Sequence, residues 1–444
     1  MNLTGCSRRF TRKLASLTLA LLAVAPLAGV ANDFIAGADF SLLPFFESHG
    51  IAYQDNGQTR DALNILRDRG VNCIRLRLFT SSAAQAQTDP YNYGNNLDYT
   101  VPLAGRVKQA GLKFMLDFHY SDTWADPAHQ TLPAAWTNLD FPRLVQQMRA
   151  YNSNCIAAFE LAGARPDYVQ VGNEITGGLL WPAGQVPGTN AAVQWSQLAQ
   201  LLKAAIQGIH DAAGTNGPKI IVHIDRGGDW SGTKWFFDNL IQTQHVSFDI
   251  IGESYYPFWH GSPDDLSNCL ASAAIRYGKP VMVAETAFPW TNSYWTTNLY
   301  GLSGTTNGQV QYVAALAQAV KGVPNGLGAG IFWWGTEYQK LNGVNEAGFN
   351  TTAVFDAKGN VLPAADAFGQ MVAPLILSAK RNGALLQLQW PLSGAGMTLA
   401  TATSLSPTAA WTPVTNSIES TNAIFRTTLP LDPNASRFFR LQTH

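Results

Sequence analysis

Glu174 and Glu285 are the acids of this chain whose settings suit them to chemistry. Glu174 ends the run Tyr168-Val169-Gln170-Val171-Gly172-Asn173, and Glu285 ends Pro280-Val281-Met282-Val283-Ala284. Each carboxylate therefore follows a short apolar strand pattern, and a rigid strand end can hold it to the tolerance that catalysis needs. Two carboxyl groups fixed across one pocket can open an acetal: one protonates the leaving oxygen while the other meets the oxocarbenium-like carbon. A single such Glu would as readily cap the next helix or pair with an arginine. Glu253 lies inside a strand pattern, where a buried ion pair is the better expectation.

The elements that must carry these side chains follow from periodicity. Eight apolar, β-rich runs, at 34–39, 73–79, 113–118, 168–172, 220–224, 250–254, 281–284 and 330–333, alternate with helical stretches such as 61–69, 141–163, 191–213, 266–277 and 309–321. Gly70, Gly111 and Gly278 close helices before the next strand. Eight βα units predict an α/β fold of the (β/α)8 TIM-barrel type, and no GxGxxG follows the first strand to argue for a dinucleotide. In such barrels the chemistry sits at the C-terminal ends of the strands. Here those ends carry Asp39, Arg77, Asp117 to Tyr120, Asn173-Glu174, His223 to Asp225, Ser254-Tyr255-Tyr256, Glu285 and Trp334. The carboxylates fall on the fourth and seventh strands.

With 444 residues, 46% of them hydrophobic, the chain can bury a barrel-sized core and something smaller. A net charge of −1 and 13% charged residues leave no basic footprint, so nucleic acid is not expected as a partner. Arg8, Arg9, Arg12 and Lys13, an apolar run over about 14–27 and small residues to Ala31 have the order of an export signal. The run is short for a membrane anchor, so cleavage near Ala31, a secreted or periplasmic location and no stable membrane insertion after cleavage are expected. Cys6 would leave with residues 1–31, and Cys73, Cys155 and Cys269 are expected as buried free thiols, with no CxxC pair to hold a metal. The expected barrel spans 32–374. Over 375–444 short alternating runs at 375–378, 384–390, 398–402, 424–429 and 438–441 read as a small β-sandwich-like module, an appendage rather than a carbohydrate binder because no cluster of exposed aromatics stands out.

The blocks GADFSLLPFFESHG, GVNCIRLRLF, FMLDFHYSDTWADPAHQTLPAAW, VQVGNEITGGLLWP, DIIGESYYPFWHG, VMVAETAFPW and GIFWWGTEY run in order from about residue 35 to 340. They resemble glycoside hydrolase family 53, the endo-β-1,4-galactanases, within the clan of retaining barrel glycosidases that carry their acids on strands four and seven. The resemblance implies hydrolysis of β-1,4-galactan, with Glu174 as acid/base and Glu285 as nucleophile. It implies that Asn173 bonds the sugar 2-hydroxyl, that Tyr255 or its neighbour Tyr256 holds the nucleophile, and that Arg75 or Arg77 keeps it ionised. Asp117, His119, Asp122, Trp124, Trp181, His223, Asp225, Trp290 and Trp334 would complete the sugar-binding groove. The chain departs from the family on strand eight, where Gly335-Thr336-Glu337 stands in place of a Glu-Pro pair. Some relatives carry a structural calcium ion, but no motif here supports one, and no cofactor or metal is expected. A monomer acting on polysaccharide is the expectation. The rivals are another enzyme of the clan, such as a β-mannanase or β-glucosidase, and a glycan-binding barrel without activity.

Overall fold

The computed structural model describes residues 34–187, 190–214, 216–432 and 435–443. The expected export signal over 1–31 lies outside the described residues. Eight parallel strands close into a barrel: β1 (Ile35–Asp39), β2 (Cys73–Leu78), β3 (Lys113–Phe118), β4 (Tyr168–Val171), β5 (Lys219–Ile224), β6 (Ile250–Ser254), β7 (Val281–Thr286) and β8 (Gly328–Trp333). Each strand pairs with its neighbours in chain order, and β8 pairs with β1 to complete the ring. The helices that follow are α1 (Ala62–Asp68), α2 (Leu97–Gln109), α3 (Phe141–Leu161), α4 (Ala191–Ala213), α5 (Trp230–Phe237), α6 (Pro263–Tyr277), α7 (Thr306–Lys321) and α8 (Ala364–Val372). The expected α/β barrel is the one observed.

Alternation along the strands sets what faces the axis. Ile74, Leu76 and Leu78 on β2 point to the helices, so Cys73, Arg75 and Arg77 point inward. Cys73, Met115, Ile221, Met282 and Phe332 form an apolar plug low in the barrel. A Cβ on Gly37 would lie 2.3 Å from the Phe332 ring, so only glycine fits beside that plug. One step further along the strands the inward residues turn polar, with Arg75, Asp117, Gln170 and His223 all buried. A charged floor thus rests on an apolar plug.

Cys73, Cys155 and Cys269 are free and buried, as expected. Glu253 is corrected: its neighbours inward are Gly252 and Ser254, so it faces outward, and among the described residues it forms no ion pair. Its Oε1 accepts from Thr233 Oγ1 at 3.0 Å and its Oε2 from the Arg226 amide at 3.1 Å. Burial pushes its carboxyl well above the ordinary range while these two bonds oppose the rise, and through them it ties the loop after β5 to α5.

Beyond α8 lie two antiparallel sheets. β9 (Ser378–Asn382), β10 (Leu385–Pro391), β13 (Glu419–Thr421) and β14 (Ile424–Pro430) form one; β11 (Thr398–Ala402), β12 (Thr412–Pro413) and β15 (Phe438–Gln442) form the other. Gly396, with φ of +75°, approaches Gly322 at the end of α7 so closely that a Cβ would meet its backbone at 2.8 Å. Among the described residues no helix is long and apolar enough to cross a membrane.

Candidate active site

The two glutamates reach the same rim by different backbone devices. On β7 the register slips against β6, so that Glu253 pairs with Val283 and Ser254 pairs with Glu285. The extra residue, Ala284, is a bulge; it re-aims Glu285, which plain alternation would have turned outward, into the barrel. Glu174 follows Gly172, whose φ is +92°, and itself sits in the left-handed region at φ 49°. A left-handed non-glycine residue is disfavoured by roughly 1 kcal/mol or more, so the surrounding contacts hold this one in place.

Arg75 is the hub beneath both. Its Nη1 donates to Asp39 Oδ2 at 2.9 Å, while Nη2 meets Asp117 Oδ2 at 2.8 Å, Glu285 Oε1 at 2.7 Å and Asn173 Oδ1 at 2.9 Å. Tyr256 donates its hydroxyl to Glu285 Oε2 at 3.2 Å. Burial raises the Glu285 pKa, and the Arg75 guanidinium opposes that rise. Among the described residues Glu174 has no such cation. Burial of its carboxyl, then the charges of Glu285 and Asp225, push it well above the ordinary carboxylate range, and its Oε1 lies 2.6 Å from Ser254 Oγ. One carboxyl is thus paired with a cation and the other is pressed towards its neutral form.

A family model for glycosyl hydrolase family 53 matches residues 35–368. The chain belongs to glycosyl hydrolase family 53. An uncharacterized protein of Niallia circulans is 43% identical over 314 residues, 68% of this chain and 83% of its own length. The arabinogalactan endo-β-1,4-galactanase of Humicola insolens is 37% identical over 308 residues, 67% of this chain and 88% of its own. The solved family 53 catalytic domain of Ignisphaera aggregans superposes with a TM-score of 0.68 at 35% identity, covering 78% of this chain and 99% of that one.

Within this family 53 site several sequence expectations resolve or change. Of the two arginines, Arg75 contacts the nucleophile candidate; Arg77 instead bonds Asp39 at 3.0 Å and lies 4.2 Å from the centre of the Trp124 ring and 5.8 Å from that of Trp334. Tyr255 is corrected to Tyr256: Tyr255 is buried outside the barrel wall, its hydroxyl donating to the Gly261 carbonyl at 2.8 Å. Asp117 is no sugar ligand, since it is fully buried and held by Arg75, Gln170 and His119. His119 accepts from the Ala125 amide at 2.9 Å and faces Asp117 at 3.0 Å, and His223 is sealed between Asn173 and Ser254, so neither ring has a nitrogen left for substrate. Asp122 gathers Thr80, Gln85 and the Ala134 amide, which braces the loop after β3.

Of the residues expected in the groove, Trp124, Trp181, Asp225, Trp290 and Trp334 are half-buried. Trp124 and Trp334 meet edge to face, 6.4 Å apart, and Trp181 and Trp290 anchor their indole N–H groups on the Gly177 and Asn350 carbonyls. Asp225 accepts from Thr176 Oγ1 at 2.5 Å. Sequence reasoning missed Gln170, which donates to Asp117 and Asn173, and Gln130, which donates to the Asn173 carbonyl at 2.8 Å. Gln170 could have been found as a polar residue inside an apolar strand pattern; Gln130 sits in a loop and carried no signal. After strand eight, Glu337 is fully buried and accepts from the Leu42 amide at 2.7 Å, so the departure from the family pattern braces the segment after β1. Among the described residues no group of three His, Cys, Asp or Glu side chains is placed to hold a metal ion.

Proposed function

We propose that this family 53 protein is an endo-β-1,4-galactanase that cleaves β-1,4-galactan, as in type I arabinogalactan, with retention of anomeric configuration. The reading rests on one observation above all: two carboxyl groups of one rim held in opposite electrostatic settings, Glu285 against Arg75 and Glu174 against other acids. Pairs of titratable groups whose surroundings drive them apart mark acid and nucleophile. Glu174 protonates the glycosidic oxygen while Glu285 attacks the anomeric carbon, and a galactosyl ester forms. Glu174, now a carboxylate, then takes a proton from water as that water releases the sugar. Asn173 contributes a contact to the 2-hydroxyl, and the tryptophans stack on pyranose faces.

The relatives named galactanases support galactan over mannan or glucan. The chain is read as a monomer that works outside the cytoplasm without a cofactor, residues 1–31 serving as its export signal, with 32–374 as catalytic barrel and 375–444 as a structural appendage. Reducing-sugar release from galactan, mannan, xylan and cellulose tests the substrate. Strong activity on mannan with none on galactan would overturn the reading, and binding to galactan without hydrolysis would favour a glycan-binding barrel.

A further inference from the structure

Hydrogen-bond bookkeeping around Glu174 locates a proton. The Asn173 amide is orientated by three partners: Oδ1 accepts from Arg75 Nη2 at 2.9 Å and from Gln170 Nε2 at 3.1 Å, while Nδ2 donates to the Ala125 carbonyl at 2.8 Å. His223 Nδ1 lies 3.0 Å from that same Oδ1, which can only accept, so Nδ1 carries a hydrogen. The ring is fully buried and, with Arg75 and His119 beside it, held well below the ordinary histidine pKa, so it is neutral and Nε2 is a bare lone pair. Ser254 Oγ, 2.9 Å from Nε2, must give its one hydrogen there. Ser254 Oγ lies 2.6 Å from Glu174 Oε1; towards a charged Glu174 the serine would donate and lower its pKa, but with its one hydrogen committed to His223 it offers a neutral Glu174 a lone pair instead.

We propose that His223 and Ser254 form a directional hydrogen-bond chain, set by Arg75 through Asn173, that offers Glu174 an acceptor and so positions the catalytic proton on Oε1. The proposal rests on the reading of Glu174 as acid/base and assigns Ser254 and His223 as positioning residues, which touch no substrate. When Glu174 gives up its proton, Ser254 can turn its hydrogen to the carboxylate only by stripping His223 Nε2 of its partner. The chain therefore favours the acid by about one buried hydrogen bond, worth roughly one pH unit. Other charged groups act on the same carboxyl: Glu285 from β7, Asp225 from the loop after β5 and Asp126 from the loop after β3. None of them is altered by changing Ser254 or His223.

The test is His223→Asn. Its amide can still donate to Asn173, yet offers no acceptor at the Nε2 position, so Ser254 is free to donate to Glu174. The high-pH limb of kcat/KM should fall by about one unit, with Ser254→Ala moving it the same way and Ser254→Thr restoring it. A limb that stays or rises in His223→Asn overturns the proposal. Should that variant not fold, ¹⁵N chemical shifts of the imidazoles in the unaltered protein decide: a His223 ring protonated at Nδ1 supports the chain, and one protonated at Nε2 ends it. Azide rescue of Glu174→Ala on an aryl galactoside tests the acid/base reading separately, so that failure of one is not mistaken for failure of the other.

Discussion

Arg75→Met removes a cation from a cluster in which Asp39, Asp117 and Glu285 share Arg75 and Arg77. Methionine roughly keeps the volume, so packing changes little and the effect is electrostatic. Two consequences follow from the distances. Glu285 loses an ion-pair partner at 2.7 Å, and an opposite charge at such a distance lowers a carboxyl pKa by about one to three units. The nucleophile must be ionised, and losing the cation raises its pKa further above the ordinary value. The low-pH limb of kcat/KM therefore moves up by about one to three units, and activity is lost at any pH below the new limb. Independently, buried carboxylates left without their partner cost about 3–5 kcal/mol, which urea unfolding reads as a lower midpoint at constant slope. Arg77→Met is the control: it strips Asp39 at 3.0 Å but leaves the Glu285 contact intact, so it should destabilise without a comparable shift of the limb. A limb unmoved in Arg75→Met, or moved equally in Arg77→Met, would refute the assignment of Arg75 as the cation that keeps Glu285 charged.

Tyr256→Phe deletes the 3.2 Å bond to Glu285 and should lower kcat/KM about tenfold, the worth of roughly 1.4 kcal/mol, whereas Tyr255→Phe should leave kcat/KM unchanged and cost about 1 kcal/mol of stability through its Gly261 bond. The reverse pattern in steady-state kinetics would restore Tyr255 to the site. Burial pushes the Glu337 carboxyl up to about 8, so the folded state prefers it protonated; its contribution is intact below pH 4.5 and is lost as pH rises towards 8. Glu337→Gln should flatten that decline and gain up to about 4 kcal/mol at pH 8 by denaturant titration, a gain that would be missing if the acid were solvated. Cys73, Cys155 and Cys269 should resist a thiol reagent in the native protein and all react in denaturant; a fast-reacting native thiol at any of the three would contradict their burial.

The barrel was legible because each strand is an apolar run of the right length between helices that close on glycine, and because both faces of a barrel strand are buried. Glu174 and Glu285 were legible for a related reason: a carboxylate straight after an apolar run has few other uses. The choice between Tyr255 and Tyr256 was not legible. In the fold the alternation from β6, with Gly252 and Ser254 inward, brings Tyr256 to Glu285; the bulge at Ala284 that turns Glu285 to meet it is marked by nothing in a run such as VMVAET. Of the C-terminal strands, β12 and β13 were missed, and β9 was expected at 375–378 rather than Ser378–Asn382, because these short segments carry little apolar alternation.

The larger gap concerns the polar residues placed in the groove. Asp117, His119 and His223 have the chemistry to bind sugar hydroxyls, and a strand end is where such groups belong. Whether a polar side chain meets substrate or other protein depends on how many donors already converge on it, which is a property of the assembled floor and not of any one strand. In this barrel Arg75 consumes acceptors from four strands, β1, β3 and β7 directly and the Asn173 that follows β4, so the polar layer closes on itself beneath the groove. On the proposed reading, recognition is left to Asn173, the tryptophan faces, Asp225 and the two carboxyl groups Glu174 and Glu285. Dipoles and charges already fixed in such a floor need little reorganisation when charge develops at the anomeric carbon, which is the condition for electrostatic preorganisation to lower a barrier. It follows that substitutions in the floor should act on kcat, through the states of Glu174 and Glu285, while those in the tryptophan rim should act on KM.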